Sequence, residues 1–194
     1  MPNHHDFPMH QQADTAPEES RPRLEAAEQH YGFIPNLMKH QAEAPALLEA
    51  YQTMNDIFER TSLSPVEQQI VVQSANFVND CHYCVPAHTA IMKQVGADDD
   101  TIEAVRNNTE IPDEKLESLH RFATKMVETR GHVGDDELQR VMDAGYSHRQ
   151  VLEVVVGLSF KVLSNYTNAL VKTPLDPPFE QFAWTKPEQQ TAGA

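Results

Sequence analysis

Apolar residues recur at intervals of three and four through almost the whole stretch from residue 23 to residue 173, and this spacing predicts helices. The clearest example is residues 44–60, APALLEAYQTMNDIFER, whose apolar positions share one face opposite an acidic one. The segment VLEVVVGL, residues 151–158, would suit a buried strand if taken alone. It lies inside a helical pattern of about 25 residues, however, and has no partner strand. We therefore predict an all-α fold.

Local signals mark the ends of further helices. Ser64 is a capping residue with Pro65 at the first helical position and Glu67 three residues on, and Ser147 begins the last and longest helix. Two more helices are predicted over residues 112–131 and 135–145. The helices after Ser64 and Ser147 are similar in sequence. The bundle is thus predicted either to contain two pseudo-equivalent halves or to repeat a shared amphipathic pattern.

Composition divides the chain into three parts. Residues 1–22 are rich in His, Gln, Pro and Glu, which predicts a flexible N-terminal arm. Residues 23–173 form the helical domain. Residues 174–194 are rich in proline and predict an extended segment. The aromatic residues of that segment, Phe179, Phe182 and Trp184, are expected to lie at or near a contact with the domain or with a second subunit.

The charge balance restricts the classes of partner. The chain has 29 acidic and 15 basic residues, a formal net charge of -14 at pH 7. Nucleic acid and anionic membrane surfaces would repel such a chain, so we expect small-molecule and protein partners. The sequence shows no uninterrupted apolar run of about 18 residues and no signal-peptide pattern near Met1. We expect a cytoplasmic protein.

Both cysteines of the chain lie in DCHYCVPAHTAIMKQVG, residues 80–96. In a reducing compartment, a close cysteine pair is more often catalytic or metal-binding than structural. Pro86 fits only the first turn of a helix, so the helix is predicted to begin between residues 83 and 85, with Cys84 at its N-terminus. That position stabilises a thiolate. His88 follows one turn later on the same face, where it can accept the proton of Cys84 or hold the resulting anion, and Cys81 is close enough to form a disulfide with Cys84.

Two other interpretations of the pair remain open. Cys81, Cys84, His88 and His82 would supply four zinc ligands, although they lie within eight residues, or a remote residue such as His120 would complete the set. Alternatively, the two cysteines are inert members of the core. We favour a reactive thiol pair, with no metal and no cofactor.

At this point the chain resembles a known family. Residues 63–98, LSPVEQQIVVQSANFVNDCHYCVPAHTAIMKQVGAD, are similar to the core of the AhpD-like, carboxymuconolactone decarboxylase superfamily, and the upstream YGFIPNLMKH is similar to its peroxidase-related branch. The resemblance covers residues 31–172. It implies a helical subunit that forms homo-oligomers and a thiol peroxidase activity. By position, Cys84 corresponds to the peroxidatic thiol, Cys81 to the resolving thiol and His88 to the proton relay.

The resemblance is incomplete at two positions. Gln69 stands where the peroxidase motif has a glutamate, and Glu67 is about 200 degrees around the helix from it, which indicates a cap rather than a substitute base. Tyr83 stands where some members carry a histidine, with His82 one place before it. A glutamine orients a neighbour but carries no proton at neutral pH, so the activity is expected to be weaker or directed to another thiol reaction.

These observations predict a thiol-dependent hydroperoxide reductase or disulfide reductase. Its expected partners are a small-molecule hydroperoxide, a dithiol or protein reductant, and further copies of the chain. The alternative is a non-catalytic helical oligomer whose cysteine pair senses redox state or binds zinc. The decarboxylase branch works without this cysteine pair and is the less favoured relative in function.

Overall fold

The computed structural model of the protein describes residues 7–187. Within that range it contains nine α-helices and no strand, which confirms the all-α prediction. The helices, in chain order, are α1 (Arg21–Tyr31), α2 (Asn36–Gln41), α3 (Pro45–Glu59), α4 (Pro65–Val78), α5 (Cys84–Gln94), α6 (Asp99–Asn107), α7 (Glu114–Glu128), α8 (Asp135–Asp143) and α9 (His148–Val171). Short 3-10 helices span Ala13–Thr15, Glu18–Ser20 and Pro177–Phe182.

Capping chemistry sets the start of the two central helices. Ser64 and Glu67 form a capping box at α4, and Ser147 forms one with Gln150 at α9. Both boxes lie where the sequence predicts a helix start, because each satisfies two backbone groups that the first turn leaves without partners. The equivalence of two halves stays a prediction.

Helix α4 lies at the centre of the bundle, where it packs against α5, α6, α7 and α9. Its apolar residues Ile70 and Val71 are fully buried, and they contribute to one core with Phe58 of α3, Phe122 of α7 and Phe160 of α9. This packing holds α5 and α9 against the same central helix. The residues that begin α5 and the polar residues of α9 therefore meet.

In the described part of the chain, α9 is the one helix with the length and apolar composition to cross a membrane. Glu153 and Lys161 interrupt its apolar run, which is why no uninterrupted span is visible in the sequence. The helix packs against α2, α3, α4 and α7, as core helices do.

Both ends of the described chain pack on the helical domain. Residues 7–22 are not a loose arm: Ser20 is buried and donates a hydrogen bond to the carbonyl of Ala42, and Ala16 joins an apolar cluster with Leu24. Composition misjudged this segment because a few docked side chains outweigh its low hydrophobicity. The predictions for residues 1–6 and 188–194 fall outside the described residues.

The C-terminal segment docks on its own domain. The indole of Trp184 donates to the carbonyl of Arg106 at 2.9 Å and packs on Phe77, while Phe179 packs on Phe33 and Tyr83. The prediction of an extended segment needs a correction, since Pro177–Phe182 forms a 3-10 helix over α5. This segment becomes a wall of the site described below.

A close helix contact in the core depends on Gly157 of α9. A Cβ atom there would lie 2.6 Å from the ring of Phe58 and 3.0 Å from Val71. We expect Gly157→Ala to lower the free energy of unfolding by about 1–3 kcal/mol, because overpacking outweighs the higher helix propensity of alanine. Urea denaturation measures the effect, and the exposed Ser159→Ala on the same helix is the control. Equal stability of the two variants would contradict this packing.

Candidate functional site

The cysteine pair lies at the N-terminus of α5, which begins at Cys84 as the position of Pro86 predicts. Both cysteines are free and buried, with Cys84 only 2% exposed. The backbone amide of Cys84 donates to the sulfur of Cys81 at 3.2 Å. The two thiols are therefore held side by side at the positive end of a helix.

Two amides of α9 point at the sulfur of Cys84. The Nδ2 atoms of Asn165 and Asn168 each lie 3.1 Å from it, and Asn168 also lies 3.6 Å from the sulfur of Cys81. An amide NH₂ group is a donor, so both residues favour a sulfur that accepts hydrogen bonds. An anionic thiolate is the better acceptor.

A chain of side-chain amides fixes the orientation of Asn165. Its Nδ2 also donates to Asn76 at 2.9 Å, and its carbonyl oxygen accepts from Asn79 at 2.9 Å. Asn76 in turn donates to Gln73 at 2.8 Å, and Gln73 donates to the carbonyl of Val85 on α5. Because every polar atom of Asn165 has a partner, its donor is held toward Cys84 before any reaction begins.

His88 bridges α4 and α9. Its Nδ1 lies 2.8 Å from Oε1 of Gln69, and its Nε2 lies 2.9 Å from Nζ of the buried Lys161. An ammonium group only donates, so Nε2 accepts and Nδ1 carries the hydrogen that Gln69 receives. Through this contact Gln69 holds the ring of His88 from α4.

The electrostatics of the site distinguish the two thiols. Burial alone would raise the pKa of Cys84, but the hydrogen bond from Cys81 and the charge of Lys161, with the amides of Asn165 and Asn168, lower that pKa to about 6. Burial and the neighbouring Cys84 raise the pKa of Cys81. At neutral pH, Cys84 is therefore the thiolate and Cys81 the thiol.

Lys161, and not His88, is the cation of this site. Burial and the charge of Lys161 lower the pKa of His88 well below its ordinary value, so its ring is neutral at pH 7. Within residues 7–187, His88 has no hydrogen bond to either cysteine. The expected direct contact between His88 and Cys84 is wrong, because both ring nitrogens already have other partners.

Within residues 7–187, the remaining sequence candidates make no hydrogen bond to the cysteine sulfurs. Glu67 is engaged with Ser64 and with Lys115 at 3.1 Å, as expected for a cap, and His82 is exposed beside Trp184. Tyr83 is buried and donates to Asp176 at 2.5 Å. A supporting role next to the sulfurs does not fit Glu67 or His82, since their side chains are held elsewhere.

The described residues do not fit the zinc alternative. Among residues 7–187, no group of three or more His, Cys, Asp or Glu side chains is placed to hold a metal ion. His120 lies on α7, where its ring contacts the hydroxyl of Ser74 at 2.9 Å. It is buried in the core, and burial lowers its pKa to about 4.

A cavity of about 410 Å³ leads to the reactive groups. Cys84, His88, Lys161 and Gln69 contribute to its wall. Most of the remaining lining is apolar and aromatic, including Phe33, Leu37, Met38, Tyr51, Phe58, Phe160 and Phe179. The size and lining of this cavity suit a small molecule with an apolar body, and Cys84 forms part of its wall.

Sequence reasoning missed the contribution of α9. Lys161, Ser164, Asn165 and Asn168 recur at intervals of three, one and three residues, which places them on one face of an otherwise apolar helix. All four are buried. A polar stripe on a buried helix was the signal that would have found them.

The site and fold together define an AhpD-like helical protein with a thiol pair. The sequence model of the carboxymuconolactone decarboxylase family matches residues 45–120, which include both cysteines, His88 and Gln69. Over these residues the chain is similar to the carboxymuconolactone decarboxylase family.

Solved structures share this fold over most of the chain. The peroxidase-related protein from Ralstonia eutropha JMP134, an alkylhydroperoxidase AhpD core, has a TM-score of 0.78 at 21% identity and covers 90% of this chain and 95% of its own. A peroxidase-related protein from Silicibacter sp. TM1040 has a TM-score of 0.76 at 21% identity, and the match covers 90% of this chain and 92% of that protein. The debrominase Bmp8, solved as a cysteine-to-alanine variant in complex with 2,3,4-tribromopyrrole, has a TM-score of 0.73 at 15% identity. The match covers 88% of this chain and 91% of that protein. No curated protein sequence matches the chain.

The pKa of Cys84 leads to a labelling prediction. We expect a small alkylating agent to modify Cys84 with a half-maximal rate near pH 6 and to leave Cys81 largely unmodified at neutral pH, because only the thiolate is nucleophilic. Peptide mass spectrometry after timed labelling measures both rates. Preferential labelling of Cys81 would contradict the assignment of Cys84 as the attacking thiol. It would indicate instead that the first cysteine of the pair attacks, as in thioredoxin.

Proposed function

We propose that the protein is a thiol peroxidase that reduces organic hydroperoxides with an apolar substituent. The observation that carries this proposal is the set of donors around the sulfur of Cys84, formed by Asn165, Asn168 and the thiol of Cys81. These donors stabilise the nucleophilic thiolate in a buried, mainly apolar cavity. The names of two structural neighbours as peroxidase-related proteins are consistent with it.

The reaction proceeds in two steps. The thiolate of Cys84 attacks the terminal oxygen of the hydroperoxide, which breaks the O–O bond, releases an alcohol and leaves Cys84 as a sulfenic acid. The thiol of Cys81 then attacks that sulfur, and the products are water and a disulfide between Cys81 and Cys84. An external dithiol reduces the disulfide and completes the cycle.

The test is repeated turnover with defined products. Purified protein is mixed with cumene hydroperoxide or hydrogen peroxide and a dithiol reductant, and peroxide consumption is followed together with the mass of the oxidised protein. We expect many equivalents to be consumed, faster for the apolar hydroperoxide, and a loss of two hydrogens in one linked peptide. Consumption of a single equivalent would indicate a redox sensor, and only intermolecular dimers would contradict the resolving role of Cys81.

A second candidate activity is reductive removal of halogen from a small aromatic ring. The aromatic lining of the cavity beside Cys84 favours it, and the neighbour Bmp8 is named a debrominase. Release of bromide from a brominated pyrrole in the presence of a dithiol would establish this reaction. Peroxide turnover without bromide release would exclude it in favour of the peroxidase.

We also propose that the chain forms a homo-oligomer through α9. Phe179 and Trp184 are docked on their own domain, whereas one face of α9 carries five exposed apolar residues, Leu152, Val155, Val162, Tyr166 and Leu170. A face of this kind is typical of a subunit contact. A cytoplasmic location also stays a prediction.

Light scattering tests the assembly. We expect a mass that is a multiple of 21.9 kDa at micromolar concentration, and a shift toward the single-chain mass for Tyr166→Glu, because a charge within an apolar contact is unfavourable. A wild-type mass of one chain at every concentration would contradict the proposal. Glu128→Lys on α7 is a charge-changing control outside the α9 face.

A further inference from the structure

Lys161 is a buried cation. It is 1% exposed, its Nζ lies 2.9 Å from Nε2 of His88 and it lies 5.0 Å from the ring centre of Phe160. None of the ion pairs between side chains of residues 7–187 includes it. A buried ammonium group without a carboxylate partner requires another negative charge nearby.

The thiolate of Cys84 is the group that supplies this charge. The other titratable side chains around the cavity are His30, Tyr31, Tyr51, Glu59, Tyr83 and His88. Burial keeps Tyr51 and Tyr83 neutral by raising their pKa, and Glu59 is exposed. In the reduced protein, Lys161 and Cys84 therefore balance each other.

Oxidation removes one member of this pair. When Cys84 becomes a sulfenic acid or a disulfide, its negative charge is lost, while Gln69 and the neutral His88 offer no replacement. An ammonium group left alone in this buried site would be strongly unfavourable. Release of a proton by Lys161 at the same moment keeps the site neutral.

We propose that Lys161 is the proton donor of the reaction and gives its proton to the leaving oxygen as Cys84 attacks. The transfer of the proton to the leaving oxygen rests on the proposed function. The exchange of charge between Lys161 and Cys84 accompanies oxidation of the thiol pair by any substrate. Lys161 thereby takes the role that the sequence resemblance assigned to a glutamate and a histidine, with Gln69 as a neutral acceptor that holds the ring of His88.

The protons and electrons balance over the cycle. The thiolate forms an S–O bond, the O–O bond breaks, and the alkoxide takes a proton from Lys161 to leave as an alcohol. Condensation of the Cys84 sulfenic acid with the thiol of Cys81 releases water. The external dithiol then supplies two electrons and two protons, of which one goes to Cys81 and one returns to Lys161, and Cys84 is again a thiolate.

The first test uses the wild-type protein and no peroxide. The disulfide is titrated against a dithiol couple at fixed potential from about pH 7 to about pH 8, where Cys84 is already a thiolate, as alkylation rates verify. We expect uptake of two protons per two electrons, so the ratio of disulfide to reduced protein changes about 100-fold per pH unit. A change of about tenfold per pH unit would mean that Lys161 keeps its proton, and would overturn the proposal.

Lys161→Arg keeps the positive charge at this position but removes the ability to release the proton. Arginine stays protonated at neutral pH, so the variant should keep the Cys84 thiolate, take up one proton on reduction and lose at least about tenfold in peroxide turnover. Lys161→Met should raise the pH at which Cys84 is alkylated. The matched control is Lys93→Arg on the exposed part of α5, which should change none of these readouts.

The outcomes also separate this proposal from the peroxidase assignment. If Lys161→Arg still takes up two protons with Cys84 as a thiolate, another group carries the proton and the proposal is wrong. If peroxide turnover is absent while the wild type shows the two-proton uptake and Lys161→Arg shows one, the peroxidase assignment is wrong and the charge exchange between Lys161 and Cys84 holds.

Discussion

Replacing Cys84 by serine should lower hydroperoxide turnover by a factor on the order of 10³ or more, because a serine hydroxyl is neither ionised nor nucleophilic in this site. The buried donors that hold the thiolate do not compensate, since they stabilise an anion that serine does not form at neutral pH. Peroxide consumption coupled to a dithiol reductant measures the loss, and thermal unfolding of the same sample verifies the fold.

Cys81→Ser is the matched control for this substitution. It should react with about one equivalent of hydroperoxide and stop at a Cys84 sulfenic acid, which a sulfenic-acid reagent traps, whereas the wild type ends as a disulfide. The opposite pattern, with turnover retained in Cys84→Ser and a sulfenic acid at Cys81, would show that the attacking thiol is Cys81.

Asn165→Asp should produce the second largest effect. The substitution keeps the shape of the side chain but places a carboxylate oxygen 3.1 Å from the sulfur of Cys84, where an amide donor stood. Like charges at this distance disfavour ionisation, and we expect the pKa of Cys84 to rise by about two units or more. The rate of alkylation or peroxide reduction at pH 7 should fall about tenfold or more, because a rise of the pKa from about 6 to about 8 or higher lowers the thiolate fraction at pH 7 by that factor.

The pH profile distinguishes this cause from damage to the fold. With Asn165→Asp, the rate should recover as the pH is raised, whereas a misfolded site would stay inactive at every pH. Asn55→Asp makes the same change of charge near the mouth of the cavity and should leave the alkylation profile of Cys84 close to that of the wild type. An unchanged profile for Asn165→Asp would contradict the role of the α9 amides.

Much of the secondary structure follows from local sequence. Ser64 and Ser147 begin helices because a capping box involves residues only three apart, and Pro86 fixes the start of α5 because its ring fits only the first turn. The place of Gln69 beside His88 was implied by the family resemblance and not by local sequence.

The docking of both chain ends is a result of the tertiary structure. Residues 7–22 and Pro177–Phe182 have the composition of loose segments, but a small number of specific contacts hold them. Examples are the hydrogen bond from Ser20 to the carbonyl of Ala42 and the contact of Tyr83 with Asp176. Such contacts join residues far apart in sequence, so no local pattern predicts them.

The sequence by itself determined an all-α subunit with two adjacent thiols at the start of a helix, because helix periodicity, capping and the position of proline act within a few residues. The position of Cys84 at the helix start already pointed to it as the thiolate, but only the tertiary structure decided what balances its charge. The polar stripe of α9 is visible in the sequence, but the sequence does not state which helix it faces. Packing of α4 against both α5 and α9 brings Lys161, Asn165 and Asn168 to Cys84, and their donors and charge act on the sulfur only at that distance.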